Sequence, residues 1–223
     1  LAHVGGIDNI LYTPNGKLHR KLTQLAFLNL LHPFQPFIVG QKIIGPNIAA
    51  KFDVPLIFYG ENQAEYGNPV EQNKTPNMDK SFFSSSEIDI EEMSLGGVKI
   101  KNILKNEKFK INDFTPYIPV SEKIIREKKI EIQYLGYYIN WDQQECYYYA
   151  AENTGFKPND ERNAGTYSKY CSFDDKVDDF HWFTTFIKFG IARATWDACQ
   201  EIRTNKITRK EGVSLVKKYD GEF

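Results

Sequence analysis

Acidic and amide side chains follow directly after a short apolar run in the first third of the chain. The run covers residues 55–59, and residues 60–67 after it are G-E-N-Q-A-E-Y-G. Carboxylate and amide oxygens can hold Mg²⁺ on a nucleotide phosphate, or accept hydrogen bonds from sugar hydroxyls. The alternative is an exposed turn of polar residues without a ligand. The candidate residues for binding a magnesium nucleotide or a sugar are Gly60, Glu61, Asn62, Glu65 and Tyr66.

A second candidate group consists of cations near the end of the chain. Lys188 and Arg193 interrupt an otherwise apolar helical pattern. A cation in such a stretch costs free energy unless it is paired or faces a ligand. Arg binds phosphate or carboxylate through two parallel hydrogen bonds, but Arg193 could instead pair with Asp197 on a solvent-facing surface. The candidates for binding an anionic group of a substrate are Lys188, Arg193 and Arg203.

The other polar residues do not form a catalytic or metal-binding pattern. The aspartates within residues 174–179 precede a helix, and we expect them to stabilise its N-terminus through the helix dipole rather than to hold a metal. The three cysteines are far apart and form no C-x-x-C pair, which predicts reduced thiols in a reducing compartment. We therefore assign no metal site and no catalytic residue.

The overall charge argues against a nucleic-acid partner. The 223 residues include 28 basic and 29 acidic side chains, for a net charge of −1, whereas a general polyanion binder carries a basic excess. No segment approaches the roughly 18 unbroken apolar residues of a membrane span. An apolar content of 41% with 14% aromatic residues is ample for a packed core. We expect a globular cytoplasmic protein with no nucleic-acid partner and no membrane span.

The elements that must position these residues begin with two helices and a strand. Apolar residues at helical spacing predict a helix over residues 17–31, and a second helix is predicted over 37–52. The bounded apolar run at 55–59 predicts a buried parallel strand, and a helix followed by such a strand implies an α/β sheet. Ligands of open α/β sheets bind beyond the carboxyl ends of the strands, which is where residues 60–67 would lie.

The middle of the chain predicts loops and short elements. Residues 68–92 are polar and contain Asn-Pro and Thr-Pro, which predicts a long flexible loop, either a functional lid or a surface insertion. A helix is predicted over 95–104, with a weak start at its two glycines. An extended segment is predicted over 114–120, and a strand is predicted within the aromatic stretch 130–141.

The last third of the chain has the clearest helical signals. A capped helix is predicted between Asp142 and Gly155. Apolar residues repeat at intervals of three and four over residues 183–202, which predicts one long helix. A capping box at residues 208–211 predicts the start of the final helix.

The C-terminal block also carries a family resemblance. Residues 181–223 begin H-W-F-T-T-F-I-K-F-G-I-A-R-A-T-W-D and end V-K-K-Y-D-G-E-F. This block resembles the C-terminal block of the N-acetyl sugar amidotransferases, and the motif at 60–67 also looks like that family. The resemblance covers most of residues 10–223. Members of this family are bacterial enzymes that convert an acetamido group on a nucleotide-linked or nine-carbon (nonulosonate) sugar into an acetamidino group, for lipopolysaccharide or flagellar glycans.

The resemblance implies a fold and a reaction. The fold would be α/β, with a partial Rossmann-like parallel sheet of the adenine nucleotide alpha hydrolase type, followed by a mainly helical C-terminal extension. The enzyme would be an N-type ATP pyrophosphatase that uses ATP and Mg²⁺ to adenylylate the acetamido oxygen. Ammonia from a separate glutaminase subunit would then displace AMP.

One motif of the family is absent from this sequence. The S-G-G-x-D-S loop that grips pyrophosphate is missing, and the chain begins with leucine rather than methionine. We therefore expect the C-terminal part of a larger enzyme, with little activity alone. Residues 1–67 would complete the nucleotide-binding domain, 68–92 would form the flexible loop, and 93–223 would bind the substrate and the partner subunit. The rival hypothesis is a non-catalytic module for nucleotide-sugar binding or assembly.

Overall fold

The computed structural model describes residues 5–60, 70–106, 108–171 and 175–222. The chain forms two compact units. The first, the sheet unit, consists of Thr13–Leu30 and Phe34–Trp141. The second, the C-terminal unit, consists of Leu1–Tyr12, Leu31–Pro33 and Asp142–Phe223. The predicted division into residues 1–67, 68–92 and 93–223 concerns function, and it stays a prediction.

Two long helices open the sheet unit, as the sequence predicted: α1, Gly16–Leu30, and α2, Gln35–Phe52. The side chain of Asn15 caps the N-terminus of α1: its Oδ1 accepts hydrogen bonds from two backbone N–H groups of the first turn, at 3.0 and 3.3 Å. Residues four apart lie on one face of a helix. The face that α1 buries contains Leu18, Leu22 and Ala26.

Small parallel sheets lie beside these helices. The strands are β1 (Leu56–Tyr59), β2 (Ser84–Ser85), β3 (Ser94–Leu95), β4 (Val98–Lys99), β5 (Val120–Ser121) and β6 (Glu131–Tyr134). β1 pairs in parallel with β6, and β2 pairs in parallel with β5. The short helices between them are α3 (Ile100–Asn106) and α4 (Glu122–Glu127). The predicted α/β class is confirmed at this level, as a mixture of helices and small parallel sheets.

The β1–β6 sheet has one buried face and one open face. On the buried face Ile132 and Tyr134 are 2% and 0% exposed, and the Tyr59 hydroxyl donates to a backbone carbonyl of α2 at 2.6 Å. On the open face Leu56 and Phe58 are 43% and 50% exposed. The prediction of a buried strand is wrong for this face. An unbroken apolar run is typical of strands covered on both sides, whereas α2 covers only one side within the described residues.

A hairpin replaces the first part of the helix predicted over 95–104. β3 and β4 are antiparallel, and the two residues between them, Gly96 and Gly97, have φ of +60° and +76°. Two consecutive residues with positive φ form the tight turn that suits the twist of a hairpin, and a helix cannot include them. The helix α3 begins only after this hairpin.

A 3₁₀ turn replaces most of the extended segment predicted over 114–120. The turn spans Ile111–Tyr117, and the Asp113 carboxylate accepts a hydrogen bond from the backbone N–H of Lys110 at 2.8 Å. This side-chain acceptor offers the backbone a turn in place of an extended path. The extended conformation appears later, in β5.

Part of the predicted loop at 68–92 contributes to the core of the sheet unit. Met78 and Phe83 are buried in the cluster that packs beneath the β1–β6 sheet. The backbone N–H of Met78 also donates to the carbonyl of Ile132 at 2.8 Å, so this segment pairs with the second edge of β6. The described part of the segment is therefore packed against the sheet, while its predicted role as a functional lid stays a prediction.

The C-terminal unit is mainly helical, in agreement with the predicted extension. Its helices are α5 (Gln143–Thr154), α6 (Asp178–Phe189), α7 (Arg193–Arg203) and α8 (Arg209–Tyr219). Asp142 begins α5 by accepting from the N–H of Glu145 at 3.0 Å, and the predicted capping box of Thr208 and Glu211 begins α8. Within the described ranges, no helix combines the length and apolar character needed to cross a membrane.

The single helix predicted over residues 183–202 is wrong, because two helices occupy this region. Gly190 has φ of +70° and ends α6, and the extended residue Ala192 then begins α7. A glycine in the left-handed conformation is a common helix terminator. The apolar repeat continues across the break, so the hydrophobic pattern by itself did not indicate the interruption.

Candidate functional site

The carboxyl edge of the β1–β6 sheet brings together two segments that are far apart in sequence. Tyr59 is paired with Tyr134 at the end of both parallel strands, so Gly60 and Leu135 leave the sheet at the same edge. Among the described residues, none has an atom within 4 Å of the position that a Cβ on Gly60 would take. The other candidates of this motif, Glu61, Asn62, Glu65 and Tyr66, lie outside the described residues, and their role stays a prediction.

Beside this edge lies an exposed aromatic group that the sequence analysis missed. The Tyr138 hydroxyl donates to Oε1 of Gln133 at 2.7 Å, and the Tyr138 ring meets Phe58 edge to face at 6.1 Å between centroids. Gln133 in turn donates to a carboxylate oxygen of Glu131 at 3.3 Å. Two adjacent tyrosines within the aromatic stretch 130–141, where the strand was predicted, were the available signal for this group.

Arg193 is the first residue of α7 and lies largely buried in a polar cluster of the C-terminal unit, with 17% of its side chain exposed. Its Nε lies 3.2 Å from Oδ1 of Asp197, and one terminal nitrogen lies 3.9 Å from Oδ2 of Asp178. The guanidinium also lies over the ring of Trp182, 5.2 Å from its centroid. The alternative pairing with Asp197 is therefore present, but the pair is buried rather than on a solvent-facing surface. Direct binding of a substrate anion by Arg193 stays a prediction.

Asp197 is the centre of this polar cluster. Its Oδ2 accepts hydrogen bonds from the hydroxyl of Thr166 at 2.6 Å and from that of Ser168 at 3.4 Å, while its Oδ1 faces Arg193. The residue is 4% exposed, so these partners replace the water that a carboxylate needs. The sequence analysis missed both hydroxyls, because they come from the loop before α6 and no local spacing relates them to α7.

The other two candidate cations lie elsewhere in the C-terminal unit. Lys188 is exposed near the end of α6, with its Nζ 5.2 Å from the centroid of the Phe189 ring. Arg203 is exposed at the last residue of α7, about 15 Å along the helix axis from Arg193 at its first. Arg193 and Arg203 therefore cannot grip one phosphate together. The binding of an anionic substrate group by Lys188, Arg193 and Arg203 stays a prediction.

The end of the chain holds the start of α7 in place. Asp220 accepts hydrogen bonds from the N–H of Ala192 at 2.9 Å, from the N–H of Thr195 at 2.8 Å and from its hydroxyl at 2.7 Å. A carboxylate at this position satisfies free N–H groups of the helix and its dipole. Glu222 binds Arg162 through both carboxylate oxygens, at 2.6 and 2.7 Å. The Asp220 cap is thus supplied from a distant segment rather than from the residues that precede α7.

Cys171 lies in the same cluster but is not suited to nucleophilic chemistry. Burial raises the pKa of its thiol, and the Arg193 guanidinium opposes this rise without cancelling it. The sulfur lies 3.2 Å from the Ser168 hydroxyl, and the residue is buried. A reactive cysteine needs an exposed thiolate. We therefore assign Cys171 a packing role, in agreement with the predicted reduced thiol.

Two histidines meet in the C-terminal unit. The rings of His32 and His181 are 5.5 Å apart between centroids. Burial lowers the pKa of His181 to about 4, with contributions from His32, Arg193 and Lys188, while Asp178 acts in the opposite direction. Burial also lowers the pKa of His32, and Lys188 adds to this effect. Both imidazoles are therefore neutral at pH 7.

This pair makes the stability of the C-terminal unit dependent on pH. The pKa of His181 is about 4 in the folded protein and 6.5 in the unfolded chain, so the unfolded chain takes up the proton first as the pH falls between these values. Protonation therefore favours the unfolded state over this range of pH. We expect the free energy of unfolding to fall by on the order of 2 kcal/mol over this window. Urea unfolding between pH 7 and 5, followed by the fluorescence of Trp182 and Trp196, measures it. His181→Gln is expected to remove most of this dependence, and an equal dependence in both proteins would contradict the assignment.

Comparison with known proteins relates one part of the chain to a family. No curated protein matches the chain. Residues 164–223 match a family model described as "LPS biosynthesis protein WbpG-like, C-terminal domain". The match contains α6, α7 and α8, together with the loop that supplies Thr166 and Ser168. The matched block is therefore similar to the C-terminal domain of WbpG-like LPS biosynthesis proteins, and it makes up about a quarter of the chain.

Proposed function

We propose that the chain is part of an ATP-dependent amidotransferase that converts an acetamido group of a nucleotide-linked or nonulosonate sugar into an acetamidino group. The observation that carries the proposal is the shared carboxyl edge of β1 and β6, where Gly60 leads into the acidic motif. Parallel α/β sheets bind their ligands at such edges. The match of residues 164–223 supports a role of this enzyme in LPS biosynthesis.

The chemistry of the motif suits a magnesium nucleotide. Glu61 and Glu65 offer hard carboxylate oxygens, and Asn62 offers an amide oxygen, which are the ligands that Mg²⁺ accepts beside nucleotide phosphates. When bound, Mg²⁺ would neutralise charge that develops on the phosphates. A partial Rossmann-like sheet of the adenine nucleotide alpha hydrolase type is the fold that we propose for this part, with the described β1 and β6 as two of its strands.

The proposed reaction has two steps. In the first, the acetamide oxygen attacks the α-phosphorus of ATP, so that an O–P bond forms and pyrophosphate leaves. In the second, ammonia forms a new C–N bond at the acetamide carbon, the C–O bond breaks, AMP leaves with the oxygen, and a proton passes to solvent. A separate glutaminase subunit supplies the ammonia. ATP and nucleotide-sugars are cytoplasmic metabolites, so we place the enzyme in the cytoplasm.

Exchange of labelled pyrophosphate into ATP tests the first step. The protein that carries this chain is expected to show exchange that depends on an added UDP-N-acetyl sugar. Glu61→Gln should lower the exchange rate by about 10²-fold, because a ligand for the metal-bound phosphates is lost. Glu71→Gln is the matched control, since Glu71 is an exposed acidic residue just beyond the motif, and it should leave the rate unchanged.

Two outcomes would count against the amidotransferase proposal. Absence of any sugar-dependent exchange, with tight binding of the same sugar nucleotide, would favour the rival hypothesis of a non-catalytic binding or assembly module. Equal exchange rates in the Glu61→Gln and Glu71→Gln proteins would remove the acidic motif from the site. A third outcome concerns the partner alone. If exchange depends on the sugar but added glutaminase does not increase amidine formation, the first step stands and the proposed glutaminase partner is refuted.

A further inference from the structure

Large aromatic side chains are exposed together where β6 leaves the sheet. Phe58, Tyr137 and Tyr138 are 50%, 50% and 54% exposed. The Tyr137 and Tyr138 rings meet edge to face, with centroids 5.4 Å apart, and Tyr138 meets Phe58 in the same manner. Contacts of this kind give the rings a defined orientation in spite of their exposure. They form an aromatic surface next to the edge at which Gly60 leaves the sheet.

A row of polar groups runs beside these rings. The hydroxyl of Tyr138 donates to the Gln133 amide, which in turn donates to the Glu131 carboxylate. Gln133 and Glu131 alternate with buried residues along β6, so both lie on the open face with Phe58. The amide and the carboxylate keep further acceptor positions, because each makes fewer of these bonds than its chemistry allows. We name the five residues the aromatic ledge: Phe58, Glu131, Gln133, Tyr137 and Tyr138.

This combination matches the two kinds of surface on a pyranose ring. A sugar presents a face of C–H bonds, which packs on an aromatic ring, and a rim of hydroxyls, which bond to amide and carboxylate oxygens. Ligand sites generally combine an apolar wall with a few fixed polar groups in this way. The ledge contains no cation, and the charge of Glu131 would repel a phosphate. The chemistry therefore suits the sugar part of a nucleotide-sugar rather than its phosphates.

We infer that the aromatic ledge binds the pyranose ring of the N-acetylated sugar substrate. The inference rests on the proposed function, which requires such a sugar at the carboxyl edge of this sheet. It adds a location for the sugar within the sheet unit. The competing occupant is a second protein layer, because parallel sheets are usually covered on both faces and Leu56 extends the apolar surface.

Titration of the protein with UDP-N-acetylglucosamine, N-acetylglucosamine and UDP tests the inference. Tyr138→Ala is expected to weaken binding of both N-acetyl ligands by about tenfold, because it removes the ring that packs on the sugar and the hydroxyl that orients Gln133. Binding of UDP, which lacks the sugar, should be unaffected. Tyr138→Phe keeps the ring and should weaken binding less. The matched control is Tyr149→Ala, because Tyr149 is a 68% exposed tyrosine on α5, and it should bind all three ligands as the parent does.

These experiments give different results when sugar binding at the aromatic ledge is wrong and when the proposed function is wrong. If Tyr138→Ala keeps the parent affinity for the sugar and an unchanged KM in the sugar-dependent exchange assay, the ledge is refuted while the amidotransferase stands. If the parent protein binds no N-acetyl ligand and shows no exchange, the function fails and the ledge with it. If Tyr138→Ala or Phe58→Ala dissociates an assembly without changing sugar affinity, the open face is a packing surface and the inference is overturned.

Discussion

Replacing Asp197 with alanine is expected to destabilise the C-terminal unit by about 3 to 5 kcal/mol. Within the part of the chain that the structure describes, the largely buried Arg193 guanidinium would keep the more distant Asp178 as its carboxylate partner. The hydroxyls of Thr166 and Ser168 would also lose their shared acceptor. Breaking a buried ion pair costs this much because the remaining charge keeps its desolvation penalty without compensation.

Trp182 and Trp196 lie in the C-terminal unit and Trp141 lies in the sheet unit. Tryptophan fluorescence during urea unfolding, measured in a Trp141→Phe background, therefore reports this loss for the C-terminal unit. The double variant Arg193→Met with Asp197→Leu removes both charges. It should recover much of the stability lost in Asp197→Ala, since two packed apolar side chains often replace a buried pair at little cost.

An exposed pair with the same spacing serves as the control. Lys123 and Glu127 are four residues apart, 3.9 Å from each other, and their side chains are 76% and 61% exposed. Glu127→Ala should therefore cost at most about 0.5 kcal/mol. If Asp197→Ala costs no more than this, Arg193 is solvated in solution and free to bind an anion, which was one of the two alternatives that the sequence left open.

Arg193 shows how far sequence analysis reached at the C-terminal unit. A spacing of four residues was enough to suggest its pairing with Asp197, because that geometry is local to one helix. Burial of the pair was not foreseeable, since it depends on Thr166 and Ser168, which a separate loop brings to α7. Charge and spacing therefore identified the partners but not their surroundings.

The helix caps could be predicted from the sequence only where both partners are close together in the chain. Asp142 with Glu145, and Thr208 with Glu211, were predicted because both partners lie within one turn. The cap of α7 comes from Asp220, which is 28 positions from Ala192. No short-range pattern can contain such a pair, and so the start of α7 was not predicted.

In the sheet unit, too, local sequence patterns predicted the strands but not how the strands pair. Residues 55–59 and the start of 130–141 were recognisable as strands from their apolar and aromatic content. Their parallel pairing, which places Leu135 beside Gly60, required the path of the whole chain. The aromatic ledge depends on this pairing, because Phe58 lies on β1 and Tyr138 lies four residues after the end of β6, and their rings meet only when the two strands pair.

The glycine pair at the hairpin was the clearest local error. The sequence predicts a weak helix start at Gly96-Gly97, although two consecutive glycines are also typical of a two-residue hairpin turn. The structure selects the turn because α1 packs directly against it. The side-chain amide of Asn29 donates to the carbonyl of Gly96 at 2.9 Å, and the N–H of Gly96 donates to Gln35 at 3.0 Å.

Gly96→Ala is accordingly expected to cost about 3 kcal/mol of stability in the sheet unit. A Cβ at this position would lie 2.8 Å from Cβ of Leu25 and 2.9 Å from two backbone atoms of α1. Overpacking of this kind costs about 1 to 3 kcal/mol, and a positive φ adds about 1 to 2 kcal/mol for a residue with a side chain. Hydrogen exchange of peptides from α1 and the hairpin, compared with the parent protein, measures the loss in the correct unit.

Gly155→Ala separates the two contributions. Gly155 has φ of +72°, close to the +60° of Gly96, but nothing lies within 4 Å of its added Cβ. This variant should therefore carry only the conformational cost of about 1 kcal/mol, in the region of α5. The difference between the two variants measures how tightly the hairpin packs on α1. If both variants lose the same stability, α1 can move away from the turn, and the hairpin does not hold α1 in place within the sheet unit.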